Sequence, residues 1–120
     1  MSFKVIDISR YQGEVDFSKV KKEVDGIILR AGIGSYDTGV PHEDSLFSTY
    51  VEQCKKYSIP FGFYYFSQAK TKAETITEAN FLIDRANIHH PQLPLVYDIE
   101  SAGRINDITT SQRTANCIVL

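Results

Sequence analysis

Pro60-Phe61-Gly62-Phe63-Tyr64-Tyr65-Phe66-Ser67 is the stretch that decides the fold. Its large side chains alternate to both faces, so neither face of the strand it predicts is suited to water. Strands that are apolar on both sides belong to parallel sheets covered by helices. Three further segments share its character: Phe3 to Ile8, Gly26 to Ala31 (GIILRA) and Leu93 to Glu100 (LPLVYDIE). Each is rich in Val, Ile, Phe or Tyr and is bounded by Gly, Pro or polar residues.

Helical patterns separate these strands. Asp16 can cap a short helix with Phe17, Val20 and Val24 at i, i+3 and i+7. A longer helix is predicted from about Asp44 to Tyr57, with Leu46, Phe47, Tyr50, Val51, Cys54 and Tyr57 on one side. Thr71-x-x-Glu74 spells a capping box. It opens a third helix whose apolar stripe is Ile76, Ala79, Ile83 and Ala86. A last helix starts near Thr109 or Ser111 and includes Ala115, Ile118 and Val119.

The order β-α-β-α-β-α-β-α implies parallel strands joined by right-handed crossovers. An open doubly wound sheet and part of a β/α barrel both fit it. The loop after the first strand, Asp7-Ile8-Ser9-Arg10-Tyr11-Gln12-Gly13, lacks the G-x-G-x-x-G of a dinucleotide site. The pair Gly32 and Gly34 has no third glycine in register. The reading favoured is a parallel (β/α) barrel of the TIM type. Four strands are half of eight, and Ile118-Val119-Leu120 falls inside a helical pattern, so the chain reads as truncated to about its first four units.

Composition narrows the function. The 120 residues are 42% hydrophobic and 23% charged, with a formal net charge of -2. They make one domain, residues 1–120, with no field of one sign to attract nucleic acid. Lys21-Lys22 and Lys55-Lys56 read as solvated helix faces. Cys54 and Cys117 read as buried free thiols, since neither has a C-x-x-C partner or a nearby ligand set, and a disulfide between them stays open at the level of sequence. His89-His90 precedes Pro91 in an expected loop, and His42 reads as solvated, so neither implies a metal. No cofactor is expected. No apolar run approaches the roughly 18 residues of a membrane span, and Met1 to Lys4 lead straight into a strand without the pattern of a signal peptide.

The chemistry concentrates at strand ends. Alternate residues of a strand share a face, so Asp98 and Glu100 project together and Tyr97 and Ile99 point the other way. Two neighbouring carboxylates cannot both ionise easily, and one of them should hold a proton near neutrality. An acid beside an ionised partner is the equipment for cleaving a glycosidic bond. Asp7 occupies the equivalent place on the first strand. A charge among Val5, Ile6 and Ile8 is costly unless it is paired or functional.

The motifs D-I-S-R-Y-Q-G (7–13), I-L-R-A-G (28–32), G-F-Y-Y-F (62–66) and Y-D-I-E (97–100) appear in an order that resembles the family 25 lysozymes of bacteria and phage endolysins. The resemblance covers essentially the whole chain. It implies a flattened β/α barrel that cleaves the β-1,4 bond between N-acetylmuramic acid and N-acetylglucosamine. By motif, Glu100 matches the general acid, Asp98 its partner carboxylate and Asp7 the cleft aspartate of the first strand. Tyr64 matches a substrate-facing tyrosine, and Arg30 falls where the family carries a basic residue. Tyr11, Gln12 and Tyr65 are further candidates for sugar contacts. The expected partner is the glycan strand of peptidoglycan, and the expected location is extracellular or the cell wall. Inversion, a covalent intermediate and substrate assistance all stay open.

Family members continue through later strands that carry another cleft carboxylate. The alternative reading is therefore an inert or glycan-binding barrel fragment, which could pair its exposed sheet edges by forming a homo-oligomer.

Overall fold

The structure, a computed structural model, describes residues 3–100. The strands are β1 (Val5–Ile8), β2 (Gly26–Gly34), β3 (Pro41–Glu43), β4 (Phe61–Phe66) and β5 (Leu95–Asp98); the helices are α1 (Phe17–Glu23), α2 (Phe47–Lys56) and α3 (Lys72–His89). A single 3-10 turn, Arg10–Gln12, follows β1. The helix expected near Thr109, and Cys117, lie outside the described residues.

β1, β2, β4 and β5 are parallel and lie side by side in that order. The helices supply Phe17, Phe47, Tyr50, Val51, Cys54 and Leu82 to one core with Ile8, Ile27, Leu29, Phe61, Phe63 and Tyr65 of the strands. Those strand residues share one face by alternation, so the helices cover that face. An unreversed strand order with helices on one face is a parallel α/β sheet unlike the doubly wound kind. A doubly wound sheet reverses its order and takes helices on both faces. The described residues form an open arc.

β3 is absent from the expected pattern. Pro41–Glu43 pairs antiparallel with Gly32–Gly34, on the edge of β2 opposite β4. With three residues and a proline it is too short to carry a periodicity, so sequence offered no signal for it. Between Arg30 and Gly32 the pairing of β2 with β4 slips by one residue. This bulge turns Gly32 towards the helices while Arg30 stays on the opposite face.

The helix ends follow the sequence closely. Asp16 caps α1 by accepting from the backbone of Ser18 and Lys19, and Thr71 caps α3 by accepting from Glu74 N at 3.1 Å. α3 ends on His89, with His90 in the left-handed region at φ 54° and Pro91 after it. The expected loop at His89 is therefore the last turn of a helix, where the imidazole meets Phe47 and Phe63 edge-on.

The apolar stripe expected for α3 is corrected. Ile76 and Ile83 are 47% and 45% exposed, whereas Thr75, Glu78 and Leu82 are buried. The helix is turned so that a carboxylate, rather than an isoleucine, faces the sheet. The polar groups that receive it lie at the end of β4. Cys54 is a buried free thiol whose pKa burial pushes up to about 12. Lys21, Lys22, Lys55 and Lys56 are exposed, as expected of solvated faces.

Candidate active site

The face of the sheet away from the helices opens into a cleft of about 750 Å³ towards the C-terminal ends of the strands. Asp7 of β1, Arg30 of β2, Tyr64 of β4 and Asp98 of β5 line it, with Glu100 two residues beyond β5. Asp7, Arg30, Tyr64 and Asp98 come from four different strands, and each is placed by alternation against the buried residues of its own strand. β-ladder register sets their relative heights: Arg30 is opposite Tyr64, and Asp98 is opposite Phe66.

Asp98 and Glu100 project together, as alternation required, and are hydrogen-bonded. Burial, that hydrogen bond and the charges of Glu100 and Asp7 push the Asp98 pKa up to about 6. The raised carboxyl is thus the half-buried member of the pair, and Glu100 is the exposed one.

Arg30 is buried and gives its Nε to Asp44 Oδ2 at 2.9 Å. The same carboxylate accepts from Arg10 N and, through Oδ1, from Leu46 N, both at 3.0 Å. Asp44 therefore ties β2 to the start of α2 and to the loop after β1. Its place at a helix start was visible in the sequence; its partners were not, because they lie 14 and 34 residues away. Tyr11 is an exposed ring between two guanidinium groups, with Arg10 Cζ and Arg30 Cζ each 5.3 Å from its centroid.

The loop carrying Tyr11 is held from within. Ser9 and Gln12 form a reciprocal capping box, in which the Gln12 side chain accepts from Ser9 N at 2.6 Å. Gln12 does not line the cleft; its carboxamide is spent on this turn. The spelling S-x-x-Q at 9–12 was a legible signal for that role. Gly13 takes φ 62°, which favours glycine, and its carbonyl accepts from the Tyr50 hydroxyl at 2.5 Å. Ser9 also reaches the cleft, where it hydrogen-bonds to Tyr64. Burial raises the Tyr64 pKa, so its hydroxyl is neutral over the physiological range.

Tyr65 does not reach the cleft. Its side chain lies on the helix face, 0% exposed, against Phe81 at a centroid distance of 5.6 Å. Adjacent strand residues point opposite ways, so Tyr64 and Tyr65 could not both face the cleft. Of the eight residues singled out from sequence, six line the cleft and Gln12 and Tyr65 do not.

Among the described residues, no group of three or more His, Cys, Asp or Glu is arranged to hold a metal ion. No helix among them is long and apolar enough to cross a membrane.

Comparison with known proteins agrees with this architecture. The family model for glycosyl hydrolases family 25 matches residues 6–119. No curated protein matches by sequence. Among solved structures, the modular autolysin LytC of Streptococcus pneumoniae, in complex with a synthetic peptidoglycan ligand, superposes with a TM-score of 0.80 at 24% identity, over 98% of this chain and 28% of that one. The catalytic domain of endolysin ply40, from bacteriophage P40 of Listeria monocytogenes, gives 0.75 at 22% identity, over 97% of this chain and 56% of that one. A muramidase from Trichobolus zukalii gives 0.75 at 20% identity, over 98% and 57%. This chain therefore spans 28% to 57% of the length of these relatives. Likenesses at this identity speak for the fold, and the match over residues 6–119 speaks for the family: the chain belongs to glycosyl hydrolase family 25.

Proposed function

We propose that the chain forms the first half of a muramidase-type barrel, which hydrolyses the β-1,4 bond between N-acetylmuramic acid and N-acetylglucosamine in peptidoglycan. The observation that carries this reading is the convergence of Asp7, Asp98 and Glu100 with Tyr64 on one cleft. An enzyme with that substrate works in the cell wall, outside the cytoplasm.

Glu100 is the proposed general acid. Below about pH 6 the free cleft holds one proton on the pair, and it rests on Asp98, the more buried carboxyl. A bound sugar strand covers Glu100 and excludes water from it, which raises the cost of its charge. The proton then passes along the Asp98–Glu100 hydrogen bond and reaches the glycosidic oxygen from Glu100. Asp98, left ionised, stabilises the positive charge that develops at the sugar ring. Tyr64, Tyr11 and Arg30 contribute sugar contacts, with aromatic faces suited to C–H surfaces.

The test combines intact mass with turbidity clearing of purified bacterial cell walls. Clearing that Glu100→Gln abolishes supports the assignment. Clearing by Glu100→Gln at the parent rate would refute it. A fold-intact protein that leaves walls turbid would instead support the inert or glycan-binding fragment, which a pull-down on insoluble peptidoglycan then separates into its two forms.

A further inference from the structure

Glu78 is wholly buried in the middle of α3, and of the cleft-lining residues it meets Tyr97. Its Oε1 accepts from Ser67 Oγ at 2.7 Å and from Tyr97 OH at 2.5 Å, and its Oε2 accepts from Gln68 N at 2.9 Å. The two hydroxyls are themselves 2.8 Å apart. One carboxylate thus gathers donors from the end of β4 and from β5. A buried carboxylate is costly unless its lone pairs are filled, and here they are filled by groups flanking the cleft.

The geometry beyond this cluster gives it a direction. Tyr97 immediately precedes Asp98, and the two side chains leave β5 on opposite faces. Ser67 donates its own N–H to the Asp98 carbonyl at 2.9 Å. The last residues of β5 are therefore gripped twice, by Ser67 through the backbone and by Glu78 through the Tyr97 hydroxyl. The space for the carboxylate is reserved by β2, since a Cβ on Gly34 would lie 2.9 Å from Glu78 Oε2.

We propose that Glu78 is a positioning residue, which fixes the end of β5 through Tyr97 and Ser67 and so holds the Asp98 carboxyl against Glu100. This rests on the reading of Asp98 and Glu100 given above for its catalytic consequence, though not for its structural one. The charged and titratable groups around the cluster are Glu74 on α3, Tyr65 on β4 and Tyr97 on β5, with Arg85 near Tyr65. Those facing Asp98 are Glu100 and Asp7.

The experiment is a carbon-detected NMR titration of the Asp98 carboxyl in the full chain, in Tyr97→Phe and in Glu78→Gln. Tyr97→Phe removes the tie to β5 while leaving Glu78 its bonds to Ser67 and Gln68, so it tests the idea even if Glu78 variants fold poorly. The expected result is a midpoint lowered by at least about half a unit in Tyr97→Phe, because a carboxyl that drifts from Glu100 loses part of what raises it. Glu78→Gln, which keeps the shape but not the charge, falls between. On wall substrate, kcat should drop roughly 10–100-fold with KM little changed, the signature of misplaced catalytic groups. Midpoints in both variants within about 0.2 unit of the parent would overturn the proposal, on the scale where one unit is a tenfold change. The titration reads this result even in a protein that clears no walls, so failure of the muramidase reading is seen separately.

Discussion

The Arg30 guanidinium and the Asp44 carboxylate meet at 2.9 Å with side-chain exposures of 6% and 0%. This pair joins β2 to the entry of α2, and Asp44 extends the link to Arg10 N and the Tyr11 loop. Removing one member of a buried pair strands the charge of the other. Arg30→Met should therefore cost roughly 3–5 kcal/mol of folding free energy, because Asp44 keeps its burial and loses its cation. Urea denaturation measures it. A loss below about 1 kcal/mol would mean that the backbone donors alone satisfy Asp44.

The reach of the sequence reading follows from where the information lay. Phe61–Phe66 and Gly26–Gly34 carry their strand character locally, and Asp16 and Thr71 name their own helices by capping. Asp98 and Glu100 share a face by spacing alone, and strand order brings Asp7 to the same cleft. What escaped depends on partners distant in the chain. The side of α3 that faces the sheet is chosen by Ser67, Gln68 and Tyr97 meeting Glu78, and this outweighs the exposure of Ile76 and Ile83. Gln12 and Tyr65 were drawn towards the site by their neighbours in the motifs. A turn claimed one of them, and strand alternation removed the other.

Tyr65 offers a direct check on that second correction. Its hydroxyl is buried without a well-formed hydrogen bond among the described residues, in weak contact with the Glu78 carboxylate, and burial with the charge of Glu78 pushes its pKa up. A buried hydroxyl that makes only a poor bond has lost its water for little return. Tyr65→Phe should leave stability unchanged or raise it by up to about 1 kcal/mol. Wall clearing should stay at the parent level. A drop in KM-sensitive clearing would return Tyr65 to the substrate side; thermal melts and turbidity assays on one preparation read both.

Gly34 leaves the buried carboxylate the space it occupies. A Cβ there would come within 2.7 Å of Gln68 Cβ as well as 2.9 Å of Glu78 Oε2, neither of which is the end of a flexible exposed chain. Gly34→Ala must push β2 away from α3 or displace the carboxylate. Overpacking of this kind costs about 1–3 kcal/mol. Denaturant midpoints at constant slope would show it. A variant as stable as the parent would mean that the end of β2 moves freely from the cluster.

Asp98 ties stability to pH in the direction opposite to an ordinary ion-paired carboxylate. Unfolded, it titrates near 3.8; folded, near 6. Below both values it is neutral in either state and has no effect. As pH rises between them the unfolded chain releases a proton that the folded protein keeps, so folding loses stability, and above about 6 the loss is complete. Asp98→Asn removes the charge and with it the loss. The variant should be more stable than the parent at pH 8, by on the order of 1 kcal/mol once solvent screening of this partly exposed group is allowed for. At pH 3.5 the gain should vanish. Urea titrations of both proteins at the two pH values give the comparison, with wall clearing as its counterpart: the same substitution should abolish turnover. A gain equal at both pH values would show that packing, and not the carboxyl's charge, separates the two proteins.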